Sequence, residues 1–154
     1  MKMTGKGSIS TWMKITLWIL FGGGLLIYIT LPICLDWYVN SYISYASPAM
    51  YVKYMVFLYI TGPICLTMLF AFIKIFETLD KKDPFIYSNV KRLNLISICS
   101  FLIGICYAVK IVMLPTILTV IVTMIFILGG FFILILAAVF KQAIKYKEEN
   151  DLTV

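Results

Sequence analysis

Histidine is absent from this chain. That removes the side chain that titrates nearest neutral pH, the commonest general base and the commonest metal ligand. Charge is also scarce: only 13% of the 154 residues are Asp, Glu, Lys or Arg, against 62% hydrophobic. Soluble domains carry about a quarter charged residues. A chain this short cannot hide so much apolar surface in one water-soluble core, so lipid must cover much of it. There is no room for a second globular domain.

Cysteine is limited to four residues, Cys34, Cys65, Cys99 and Cys106, all in apolar runs and none in a Cys-x-x-Cys pair. They read as small hydrophobes. A Cys34–Cys106 disulfide is conceivable from depth alone. No metal-ligand spacing, nucleophile elbow or phosphate-cradling glycine loop is present in the sequence. No ionisable residue falls near the middle of an apolar run, where intramembrane catalytic, ion-coupling or proton-relay groups would sit. The sequence therefore predicts a non-enzymatic protein with no cofactor and no metal.

What remains is four apolar runs with polar punctuation. The expected spans are 15–35, 54–73, 93–109 and 117–140, in one membrane domain over 1–154. A run of about 20 residues crosses roughly 30 Å of hydrocarbon as a helix. The first run follows a basic start, as a signal peptide would, but no Ala-x-Ala-like site follows it. Ile33 before Cys34 also rules out a lipoprotein box. Asp36 to Lys53 reads as an external loop rich in Tyr and Trp, residues that favour the membrane–water boundary. Pro63 should bend the second span after Gly62. Ser97, Ser100, Gly104 and Ala108 recur at helical spacing and predict a close helix contact. Gly129 and Gly130 are read as packing or hinge positions in the fourth span.

Charge sets the orientation. Eleven of the thirteen basic residues fall in the N-terminal segment, the 74–92 loop or the 141–154 tail; only Lys53 and Lys110 fall on the other side. The positive-inside rule then places both termini and the central loop in the cytoplasm. The net charge of +6 is read as topology signal and contact with anionic lipid headgroups, with no direct nucleic-acid binding. The fold class is all-α: an integral-membrane antiparallel four-helix bundle.

Two cytoplasmic motifs stand out. Asp83-Pro84 is a good helix opening, and Ile86, Val90 and Leu93 then follow at helical spacing beside Lys91 and Arg92. The segment reads as a short amphipathic helix on the inner leaflet that feeds the third span. The tail, Lys145 to Val154, mixes Lys with Glu148, Glu149, Asn150 and Asp151. Mixed charge suits a protein partner. The candidate docking residues are Asp83, Pro84, Phe85, Asn89, Lys91, Arg92, Glu148, Glu149, Asn150, Asp151 and Leu152.

The strings Asp83-Pro84-Phe85 with Asn89-Val90-Lys91-Arg92-Leu93, and Phe140-Lys141-Gln142 with Glu148-Glu149-Asn150-Asp151-Leu152-Thr153-Val154, resemble a bacterial family of small four-helix membrane proteins, domain of unknown function 2975. Lys82-Asp83 and Ala143 depart from glycines usual in that family. The resemblance implies residence in the bacterial cytoplasmic membrane and partnership with a small cytoplasmic helix-turn-helix regulator; it implies no activity. The first expectation for function is therefore a regulatory or sensory protein. A second is a transporter, channel or lipid-binding subunit with a cavity lined by Ser97, Ser100, Thr119 or Thr123, working as a homo-oligomer. A third is immunity against a membrane-active toxin.

Overall fold

A computed structural model of the chain describes residues 9–42, 48–80, 84–113 and 115–151. Among these, every element is helical: α1 (Ile9–Ile29), α2 (Leu31–Tyr42), α3 (Pro48–Asp80), α4 (Tyr87–Met113) and α5 (Ile117–Asp151). Four helices are long and apolar enough to cross a membrane: Thr11–Ile29, Pro48–Leu79, Tyr87–Met113 and Ile117–Asn150.

The first expected span is interrupted. Thr30 separates α1 from α2, and the cause is Pro32, which has no N–H to offer the Tyr28 carbonyl and whose ring crowds it. Backbone bonds from Thr30 to Leu26 (2.9 Å) and from Cys34 to Thr30 (3.0 Å) carry the chain through the break. The Thr30 hydroxyl adds a bond to the Leu26 carbonyl. Much of the segment expected as an external loop is therefore helix, from α2 on one side and the start of α3 on the other. Leu31, Leu35 and Val39 recur every fourth residue on α2 and are buried, so α2 is an amphipathic helix that also touches α3.

The 74–92 segment is likewise mostly helical. α3 runs on to Asp80 and α4 begins at Tyr87. Pro63 does not end α3, which continues for 33 residues around it. A spanning helix tolerates an internal proline; on either side of it the Thr61 and Thr67 hydroxyls bond the Phe57 and Pro63 carbonyls four residues back. α5 has a side-chain N-cap: the Thr119 amide donates to the Thr116 hydroxyl at 3.3 Å, and Pro115 lies just outside the helix.

The helices pack antiparallel in the order α1, α3, α4, α5. α4 is central; α1 leans on α3, and no residue of the α1 span is buried. The core lies toward the end that carries the basic residues. There Ala71 and Ile75 of α3, Leu93 and Ile96 of α4, and Ala137 of α5 meet, ringed by Met68, Phe72, Leu79, Ile133, Leu136 and Phe140. In lipid the apolar tails compete with apolar side chains, so close packing rather than burial holds such helices together. Glycine supplies that closeness at two crossings. A Cβ on Gly62 would stand 2.7 Å from the Tyr28 ring of α1, and one on Gly130 would stand 3.0 Å from the Phe101 ring of α4.

Candidate functional site

At the basic end, the α3–α4 turn and the continuation of α5 come together. Asn89, in the first turn of α4, is fully buried at 0% exposure. Its amide donates to the Thr78 hydroxyl of α3 (2.6 Å) and to the Pro84 carbonyl (2.8 Å), while its carbonyl accepts from the Arg92 guanidinium (2.9 Å). Arg92 reaches on to the Lys74 carbonyl of α3 at 3.1 Å. Lys74 pairs with Glu77 at 2.8 Å, both about one-third exposed. One amide and one guanidinium thus clamp the end of α3 to the start of α4.

A second set of contacts ties this turn to α5. The Phe85 and Phe140 rings lie 5.3 Å apart, and the Tyr87 hydroxyl donates to the Glu148 carboxylate at 3.3 Å. The segment expected to lie flat on the leaflet is instead built into the bundle. Val90 and Leu93 face inward and are buried with Asn89, because α4 starts upright at Tyr87 and its apolar stripe meets α3 and α5 rather than lipid. Residues 84–86, outside any helix, precede it.

The residues read as docking positions therefore divide. Asn89 and Arg92 are turned into the clamp. Phe85 is exposed but keeps a tilted ring contact with Phe140. Lys91, Glu148, Glu149 and Asn150 are exposed, with Lys145 pairing Glu149 at 3.7 Å along α5. Pro84 is half-buried. Asp83 and Leu152 lie outside the described residues, and of Asp151 only its place in α5 is described. The described part of the surface is a mixed-charge strip along α5 beside Lys91. Sequence reasoning missed Thr78 and Lys74 as partners of the clamp; the available signal was the i, i+3 spacing of Asn89 and Arg92, which puts both on one face.

The packing positions also divide. Ser97 donates to the Gly130 carbonyl at 2.9 Å, which fastens α4 to α5, and Ser100 donates to the Met68 sulfur at 3.6 Å, which links α4 to α3. A Cβ added at the buried Gly104 would stand 3.0 Å from the Ile127 side chain. Ala108 is exposed, and a Cβ on Gly129 would meet nothing within 4 Å. The Thr123 hydroxyl bonds the Thr119 carbonyl at 2.8 Å, and Thr119 itself bonds the Thr116 hydroxyl at 2.6 Å. All four hydroxyls once considered for a cavity lining are thus engaged with neighbouring groups. The four cysteines are free thiols, so Cys34 and Cys106 are not joined.

No curated protein matches the chain, and no solved structure does. One family matches over residues 28–154, described as "Protein of unknown function (DUF2975)". The matched region holds α2 to α5 and both the clamp and the mixed-charge strip, and the chain belongs to that family.

Proposed function

We propose that this is a non-enzymatic regulatory protein of the bacterial cytoplasmic membrane, whose cytoplasmic end docks a small helix-turn-helix regulator. The observation that carries the reading is the mixed-charge strip of Lys91, Lys145, Glu148, Glu149 and Asn150, exposed on a rigid helical support. Alternating charge of both signs gives a protein partner register and specificity, whereas a lipid clamp would be uniformly basic. Positive-inside asymmetry turns this end to the cytoplasm. The absence of histidine, and of charged residues mid-span, removes the commonest proton carriers.

α5 supplies the coupling. It runs unbroken for 35 residues, about 52 Å at 1.5 Å per residue, so its membrane part and its tail move as one rod. A change in packing at the α4–α5 crossing around Gly130 displaces the strip at the far end. Engagement of the Ser97 and Ser100 hydroxyls between helices, and of those of Thr119 and Thr123 within α5 and its cap, favours this reading over a polar conduit.

The test is recovery of a small helix-turn-helix regulator, taken from a neighbouring gene, on the intact protein and on a form lacking residues 148–154; a genome with no such neighbour counts against the reading. The proposal expects capture by the intact chain and at least a tenfold loss on truncation. Equal recovery from both, or none from either, refutes it.

A further inference from the structure

Beyond that docking face, the opposite end of the molecule carries a second arrangement. Lys53, near the start of α3, and Lys110, near the end of α4, lie 57 positions apart in sequence yet line the same small cavity of about 50 Å³, with Tyr54, Phe57 and Cys106. Lys53, Phe57 and Cys106 also line an apolar trough of about 350 Å³ between α3 and α4, whose walls include Val52, Val56, Ile60, Ile105 and Val109. All five of those wall residues are exposed, so the trough opens outward from the bundle.

Lys110 is held in an aromatic cage. Its ammonium lies 4.9 Å from the Phe57 ring and 5.5 Å from each of the Tyr54 and Tyr107 rings. The rings stabilise the cation through their negative faces but supply no counter-charge. Among the described residues, no carboxylate pairs with Lys110 or with Lys53. Lys53 thus lines a trough otherwise walled almost entirely by hydrocarbon, and Lys110 stands in the small cavity that adjoins it through Lys53, Phe57 and Cys106.

We propose that this is a binding site for one anionic phospholipid of the surrounding leaflet. The phosphate lies between Lys53 and Lys110, and one acyl chain fills the trough toward Ile60 and Ile105. Charge complementarity selects the headgroup. The trough lies on the flank of two spanning helices, at hydrocarbon depth, which selects an acyl chain over a soluble anion or a polar peptide. Its volume is at the lower end of ligand sites, about 300–1,000 Å³, which fits a chain better than a bulky fused ring. Lys110 runs its stem along the rings and presents its ammonium at the boundary, as snorkelling lysines do.

The experiment uses the full chain reconstituted in vesicles of equal phosphatidylglycerol and phosphatidylcholine, gently extracted and weighed with its retained lipid by native mass spectrometry. Wild type is expected to keep one phosphatidylglycerol. The K53Q/K110Q pair is expected to lose the preference for it by about 25-fold, and K53R/K110R to keep it. Ile105→Trp fills the trough and should lower retention of phospholipid while leaving the two lysines in place. Helical content and unfolding midpoint are measured for each variant, and the Arg pair keeps the comparison valid should the Gln pair unfold. The proposal is overturned by wild type that keeps no lipid or keeps phosphatidylcholine equally. It is also overturned by unchanged preference in a folded Gln pair, lost preference in a folded Arg pair, or competition by soluble glycerol phosphate at matched concentration.

Discussion

Replacing Asn89 by alanine should loosen the whole basic end. The substitution deletes three hydrogen bonds at once, to the Thr78 hydroxyl, to the Pro84 carbonyl and from Arg92. A neutral bond contributes about 1 kcal/mol net and one to a charged group about 1.5–3 kcal/mol. Three such bonds would sum to roughly 4 kcal/mol by values for soluble proteins. Only the bond to Thr78 joins two helices, where side-chain bonds in membranes average nearer 0.6 kcal/mol; assigning that low value to all three bonds gives a floor of about 2 kcal/mol. The site is fully buried, so water cannot replace the lost partners, while Arg92 keeps its bond to the Lys74 carbonyl. The expected loss is therefore about 2–4 kcal/mol. The assay is reversible unfolding in mixed micelles by titration with sodium dodecyl sulfate, followed by circular dichroism. Lys91→Ala, two positions along but exposed, serves as the control and should change stability by less than about 0.5 kcal/mol. Asn89→Asp, which keeps an acceptor for Arg92 but loses both amide donors, should fall between them. A loss below about 0.5 kcal/mol for Asn89→Ala, or equal losses for Asn89→Ala and Lys91→Ala, would refute the clamp as a structural device.

Two further outcomes follow from the same geometry. Adjacent glycines in α5 should respond with opposite signs: Gly129→Ala meets open space and should gain up to about 1 kcal/mol of helix propensity, whereas Gly130→Ala must displace the Phe101 ring and should lose about 1–2 kcal/mol net; the same micelle titration reads both, and equal effects would refute the α4–α5 crossing. In intact cells, an impermeant thiol reagent should modify Lys53→Cys and leave Lys91→Cys untouched in a background free of native cysteines; the reverse pattern would overturn the orientation and with it the cytoplasmic docking face.

Much of the architecture was legible in the sequence because hydropathy acts over consecutive residues. Four apolar runs bounded by charge require four spanning helices, whatever those helices touch, since each backbone must satisfy its own hydrogen bonds in lipid. Elements at the ends were harder. The Asp36–Lys53 and 74–92 segments are polar enough to look like loops, yet most of each is helix, because amphipathic turns can continue a helix wherever a neighbouring surface receives their apolar side. Leu31, Leu35 and Val39 find such a surface on α3; Val90 and Leu93 find one in the core.

The candidate site was legible only as a set of residue types. Asn89, Lys91 and Arg92 are equally polar on paper, and nothing in their order says that the first is sealed in the interior while the second faces outward. That division depends on the rotation of α4 about its axis, which is fixed by contacts with Thr78 and Lys74 of α3. Gly129 and Gly130 differ in the same way, through the position of one ring on another helix. The sequence by itself determined that there are four long apolar helices and a charge asymmetry between the two ends, because these depend on local composition and the thickness of a bilayer; the additional helix α2 and the extension of α3, α4 and α5 past their expected bounds came from the structure. Only the tertiary structure decided which polar groups hold the helices together and which remain on the surface, and that Lys53 and Lys110 share one cavity. Those outcomes depend on pairings between residues distant in sequence, which local periodicity does not encode.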